Sequence, residues 1–170
     1  MVQQIMYLVT AATGITGRAA ITALQAHGQQ NIHALAHRED ERSEQLRKQG
    51  VEVVFGDLLD FHAVRAALQG VKRAYFCYPI APGMVQATQF AQAAKEAGVD
   101  AIVSMSQKIA RPDARSHDAF DHWLSERVFD WSGVPITHLR PTFFAEWLLY
   151  LSPMIQQGAI YAPYGAGKAA

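Results

Sequence analysis

The stretch Val9-Thr10-Ala11-Ala12-Thr13-Gly14-Ile15-Thr16-Gly17-Arg18 decides the fold. It follows a continuous apolar run, Ile5-Met6-Tyr7-Leu8-Val9, of the kind buried on both faces of a parallel sheet. Beyond it Ala19, Ala20, Ile21, Ala23 and Leu24 fall at helical spacing, with Gly28 as a natural stop. Small residues at a strand-to-helix junction let the backbone approach a pyrophosphate, and the helix N-terminus offers unpaired N–H groups and a positive dipole end. Gly14 permits the close approach, and Gly17 lets the helix pack on the sheet. The fingerprint G-x-G-x-x-G lacks its first glycine, because Ala12 stands there, and the spacing G-x-x-G-x-x-G lacks its first at Ala11. An alanine fits an ordinary β-region turn, so the match is weakened and not lost. Ala11, Thr13, Gly14, Ile15, Thr16 and Gly17 are the expected phosphate contacts. A tight turn that merely needs glycines is the alternative.

Outward from this loop the same alternation repeats. Ile32 to Ala36, Val51 to Phe55, Val71 to Tyr78, Ala101 to Met105 and Ile136 to Leu139 read as further strands. Between them lie a charged stretch from Arg38 to Lys48, a short helix from Phe61 to Leu68 capped by Asp60, and a helix from Met84 to Ala97. A turn at Ala81-Pro82-Gly83 precedes that last helix; another, with Ser116 as candidate cap, runs to about Trp131. Phe143 to Gln156 is a final helical run interrupted by Pro153. This pattern is α/β: a doubly wound parallel sheet of about six strands with helices on both faces.

Composition narrows the function. The 170 residues hold 15 Lys plus Arg against 15 Asp plus Glu, so bulk charge gives no reason to expect a nucleic-acid partner. The single cysteine, Cys77, forms no internal disulfide and fits a reducing compartment. No cationic stretch leads into a long apolar run near the N-terminus, and no segment has the length of a bilayer span, so a cytoplasmic protein without a membrane is expected.

The end of the second strand selects the nucleotide. An acid about 20 residues after the glycines holds the ribose 2′-hydroxyl of NAD, and an arginine accommodates a 2′-phosphate. Here the spacing lands on His37-Arg38, with Glu39 and Asp40 behind. Arg38 can pair with phosphate through its fork and His37 can add a donor, which favours NADP(H) over NAD(H). A solvated, salt-bridged helix start is the other reading, and Glu39 keeps NAD(H) open.

Thr10 to Gly17, Phe55-Gly56-Asp57-Leu58, Ala97-Gly98-Val99, Val103-Ser104-Met105-Ser106 and Leu139-Arg140-Pro141 follow one another in an order that resembles the NmrA-like family. These are atypical short-chain dehydrogenase/reductase relatives with a Rossmann domain, and the resemblance covers nearly the whole chain. It implies a Rossmann-like fold, adenine contacts at Asp57 and Leu58, and ribose and nicotinamide contacts at Cys77, Tyr78 and Pro79. It also implies that the aromatic segment after Arg140-Pro141 borders the substrate pocket, with Tyr78, Phe144 and Trp147 facing an apolar ligand. Core packing of that segment is the plainer reading.

Short-chain dehydrogenases typically carry Tyr-x-x-x-Lys on the helix after the fifth strand. Counting back from Glu126, which matches the family's acidic position, puts Asp118 at the tyrosine and His122 at the lysine, so the dyad is absent. His122 is then a candidate to hydrogen-bond the cofactor or give a proton. Ser106, which matches the family's serine, is the second candidate polar group near the nicotinamide. A helix-surface histidine paired with Asp118 or Glu126, and a capping serine, are the plain alternatives. His117, Asp121 and His122 have no further cluster to complete a metal site, so no metal is expected. Trp123, Phe129 and Trp131 read as core or interface.

The expected activity is hydride transfer from NADP(H) to a small quinone-like, aromatic or carbonyl acceptor. The rival is a redox sensor that binds the dinucleotide without turnover and signals through a protein partner. A homodimer through an exposed aromatic face is conceivable. Residues 1–157 are expected to form the dinucleotide-binding domain. Family members continue past Lys168, so 158–170 read as the start of a truncated or minimal substrate-side segment.

Overall fold

Apolar residues of alternating direction build each strand, and the computed structural model describes residues 5–78, 83–142 and 144–159. In chain order the elements are β1 (Tyr7–Val9), α1 (Ile15–Ala26), β2 (Ile32–Ala36), α2 (Glu41–Lys48), β3 (Glu52–Phe55), α3 (Phe61–Ala67) and β4 (Arg73–Phe76). They continue with α4 (Gly83–Ala97), β5 (Ala101–Met105), α5 (His117–Ser132), β6 (Ile136–Leu139), α6 (Trp147–Tyr150) and α7 (Ser152–Gln156). The six strands form one parallel sheet in the order β3-β2-β1-β4-β5-β6. Val9 sits opposite Ala34 on one side and Tyr75 on the other, so β1 is the strand from which the chain winds both ways.

Two cores lie on the two sheet faces. On one, Val9, Ala34 and Ile32 pack with Ile21 of α1 and Leu46 of α2. On the other, Leu8, Ala74, Phe76 and Ile102 pack with α3, α4 and α5. Phe76, Phe90 and Phe129 are fully buried there, with ring centroids 4.7 and 5.1 Å from Phe76. Trp131, on the same helix as Phe129, is 74% exposed.

Asp40 accepts from the backbone of Arg42 and Ser43 at the start of α2, and Asp60 from that of His62 and Ala63 at the start of α3. The chain leaves α5 through Gly133 in the left-handed conformation, φ 78°, which a side chain would oppose. Ser116 stands at the head of α5 but makes no side-chain cap bond.

Two elements differ from their sequence outlines. β4 is shorter than Val71–Tyr78: the Val71 N–H closes α3 on the Leu68 carbonyl, and the Cys77 N–H bonds the Thr10 hydroxyl. The run from Phe143 to Gln156 is two short helices, because Pro153 brings no N–H and starts a new helix at α7. The chain divides into two compact units, one through Arg140 and one from Pro141. No helix among the described residues is long and apolar enough to cross a membrane.

The aromatic triad makes a prediction. Phe129→Ala removes one of its three fully buried rings and costs about 3–5 kcal/mol, which lowers Tm by roughly 10 °C in a thermal melt.

Candidate functional site

At the head of α1 the backbone supplies the site. Gly14 is the N-cap, makes no side-chain cap bond, and the first turn holds no acid, so α1 presents its free N–H groups and positive dipole end. A Cβ on Gly17 would fall 2.4 Å from the Ala11 carbonyl oxygen and 2.8 Å from the Ala12 Cα, closer than atoms tolerate. Glycine at 17 is what lets the loop close onto the helix. Ala11 itself has φ 46°, so the expected β-region turn is corrected: this position takes the left-handed conformation that glycine accepts without strain.

A cleft of about 250 Å³ opens beside this loop, with Ala11, Thr13 and Gly14 as one wall. The end of β2 contributes His37, and the turn after β3 contributes Gly56, Asp57 and Leu58. Asp57 caps the Leu59 N–H at 2.9 Å and lies 3.7 Å from His37 Nδ1. Arg38 is exposed and is not among the cleft-lining residues. Arg42 is: the capping box of Asp40 and Ser43 sets it on the first turn of α2, where Asp40 Oδ2 accepts from its Nε at 3.0 Å and its Nη2 at 2.6 Å. That pairing holds Asp40 below the usual carboxylate range. From α4 comes Gln86, 4% exposed, whose Oε1 has no hydrogen-bond partner among the described residues. A buried amide oxygen without a partner carries a desolvation cost that a ligand donor would remove. Sequence reasoning missed Arg42, which the Asp40-x-x-Ser43 box could have marked, and nothing in the sequence singles out Gln86.

At the carboxyl ends of β1 and β4 the buried Thr10 hydroxyl donates to the Cys77 carbonyl at 2.6 Å and accepts from the Cys77 N–H at 2.8 Å. Thr16, on α1, reaches the Cys77 sulfur at 3.8 Å. Burial raises the Cys77 thiol pKa above its ordinary value. The next residue, Tyr78, stacks its ring on His122 of α5, with Oη 3.0 Å from Nδ1 and 3.4 Å from Nε2. Burial pushes Tyr78 up to about 12, and burial lowers His122 despite Asp118, Glu126 and Asp121 nearby. Pro79 and the Ala81-Pro82 part of the expected turn lie outside the described residues.

Ser106, at the end of β5, is 5% exposed and donates its hydroxyl to Glu126 Oε1 at 2.6 Å. Glu126 is itself 1% exposed and takes Arg140 through both carboxylate oxygens, Nε at 2.8 Å. Burial alone would raise Glu126, but the bonds from Arg140 and Ser106 outweigh it and hold the carboxyl below its usual range. Phe144 is 41% exposed, and both it and Trp147 belong to the second compact unit, Trp147 as the first residue of α6. Among the described residues no group of three or more His, Cys, Asp or Glu is placed to hold a metal ion. A larger groove of about 460 Å³, with Ala23, Leu24, Tyr75 and Val103 among its residues, flanks α1 away from these polar groups.

Known proteins share this arrangement. The model of the NmrA-like family matches residues 3–163. The chain is 33% identical over 167 residues to the NAD(P)H azoreductase of Xenophilus azovorans, which covers 96% of this chain and 57% of that protein. Its fold superposes with a TM-score of 0.81 and 28% identity on a triphenylmethane reductase of Citrobacter sp. complexed with NADP(H), over 92% of this chain and 56% of that one. An NADPH-dependent quinone oxidoreductase from Escherichia coli, complexed with NADPH, gives a TM-score of 0.80 at 29% identity over 90% of this chain and 55% of that one. The chain thus spans little more than half the length of these relatives.

Two outcomes follow from the site's own energetics. Ala11→Gly relieves the left-handed alanine and raises stability by about 1 kcal/mol, visible as a Tm a few degrees higher. Glu126→Gln costs roughly 2–3 kcal/mol at pH 7 by denaturant titration. Because the folded carboxyl titrates below the unfolded one, its contribution is present above about pH 4.3 and lost as pH falls through the lowered value. The gap between wild type and variant therefore closes on acidification.

Proposed function

The chain belongs to the NmrA-like family, and from that premise we propose that it binds NADP(H) and reduces a small quinone-like or aromatic acceptor. The observation that carries this reading is one continuous polar path. It runs from the uncapped head of α1, through Thr10 and Thr16 to Cys77, and on to the Tyr78–His122 pair. Three features of the chain fit a dinucleotide: the Gly17 position with no room for a Cβ, the cleft between the ends of β2 and β3, and the unpartnered Gln86 oxygen at that cleft.

Ala11, Thr13, Gly14, Ile15, Thr16 and Gly17 would hold the pyrophosphate on the helix N-terminus. His37, Arg38 and Arg42 would meet a 2′-phosphate, and Asp57, Leu58 and Gln86 the adenine. Cys77 and Tyr78 would line the ribose and nicotinamide. The bound cofactor supplies the hydride; the chain's residues bind, orient and manage protons. Ser106 has given its hydroxyl hydrogen to Glu126, a carboxylate that can only accept, so toward a ligand Ser106 is an acceptor and not a proton source. NADP(H) is favoured over NAD(H) because two arginines stand at the end of β2 and the start of α2, although Arg42 shares its fork with Asp40. The free Cys77 thiol fits the reducing conditions of the cytoplasm.

Isothermal titration tests the cofactor. NADPH is expected to bind more tightly than NADH, and Arg42→Ala to weaken NADPH alone, by roughly ten- to a hundredfold, the 1.5–3 kcal/mol of a charged hydrogen bond. Equal affinity for the two cofactors, or none for either, would sink this reading.

A further inference from the structure

We propose that Tyr78 and His122 form a proton-delivery pair, in which the Tyr78 hydroxyl protonates the reduced acceptor and His122 returns a proton to Tyr78. The pair deepens the reductase reading and rests on it. It stands where Tyr-x-x-x-Lys is missing: His122 occupies the lysine position on α5, and the phenol arrives from the end of β4.

The geometry brings together residues 44 apart in sequence. The rings stack with centroids 5.2 Å apart and 23° between planes, and one imidazole nitrogen lies 3.0 Å from the phenol oxygen. The phenol's place is built in. Gly83 opens α4, and a Cβ there would sit 2.1 Å from Tyr78 Cε2; Phe76 packs on the other flank at 5.6 Å. His122 Nε2 lies 3.9 Å from Asp118 Oδ1, and that half-exposed carboxylate is held by Gln107 at 2.6 Å. The imidazole thus links a half-buried hydroxyl to a carboxylate in contact with water. Asp118, Asp121 and Glu126 on α5, and Cys77 beside the phenol, are the titratable groups that act on the pair. Burial keeps the phenol protonated and the imidazole neutral near pH 7, the starting states a proton donor and its relay require.

The proton count is explicit. Hydride addition to a quinone leaves one oxygen as an anion. The Tyr78 O–H bond breaks and its proton goes to that oxygen; the phenolate takes the ring N–H proton of His122; the other ring nitrogen takes a proton from water. The acceptor is reduced, the dihydronicotinamide is oxidised, and solvent exchange restores the imidazole tautomer. Hydride addition to a triphenylmethane cation, by contrast, gives a neutral product directly and needs no proton.

That contrast is the test. The whole protein, saturated with NADPH, is assayed on a benzoquinone and on a cationic triphenylmethane dye. Tyr78→Phe is expected to lower the ratio of quinone to dye turnover by about a hundredfold, the lower end of general-acid contributions, and His122→Gln to lower it by a smaller factor. In ligand-free protein, the NMR titration midpoint of His122 is expected to move when Tyr78 becomes Phe. An unchanged quinone-to-dye ratio, or an unmoved His122 midpoint, overturns the pair while leaving the reductase reading in place. Wild-type protein that binds NADPH and reduces neither acceptor overturns the reductase reading, and the pair with it.

Discussion

The sheet is wound outward from β1 in both directions, and the position of every functional residue follows from that. β1 pairs with β2 on one side and β4 on the other, and right-handed crossovers send α1 and α2 to one face and α3, α4 and α5 to the opposite one. Where the winding reverses, no connection bridges the carboxyl ends of β1 and β4, so a crevice forms there without further design. The Thr10 hydroxyl fastens its two lips by donating to and accepting from the same residue, Cys77. The phosphate loop, Asp57, Tyr78 and Ser106 all lie at carboxyl ends of strands of this one sheet.

Within the crevice, hydrogen-bond roles are divided before any ligand enters. Glu126 accepts from Ser106 and Arg140 and is sealed from water, which ties the end of β5, the middle of α5 and the end of β6 into one ionic knot. A carboxylate so committed cannot titrate near neutrality, and it fixes Ser106 as an acceptor. The phenol of Tyr78, without a charged partner at hydrogen-bond distance, keeps its proton. Position alone separates the two hydroxyls.

The fold was legible because its signals are local. Buried strands read as apolar runs, Asp60 marks the start of α3, and Gly28 follows the end of α1. The phosphate loop was legible through Gly14 and Gly17, although Ala11 hid its conformation, because an alanine seldom takes φ 46°. What escaped was pairwise and distant. Arg42 lines the cleft from the capped first turn of α2, whereas spacing from the glycines points to Arg38 alone. Tyr78 and His122 were each singled out, but no periodicity could reveal that they touch across 44 residues. Trp131, apolar and on the helix of Phe129, is exposed because α5 turns that face away from the sheet.

Cys77 gives the crevice one more property. Under the proposed function the acceptors include quinones, electrophiles that add to thiolates, so a reactive cysteine at these strand ends would be a route to self-inactivation. The reactive form is the thiolate, and burial moves this sulfur away from it. The hydroxyl of Thr16, 3.8 Å from the sulfur, pulls the other way by favouring the thiolate, but burial outweighs it. The one cysteine of the chain is thereby held toward its less reactive, protonated form by its place at the strand ends.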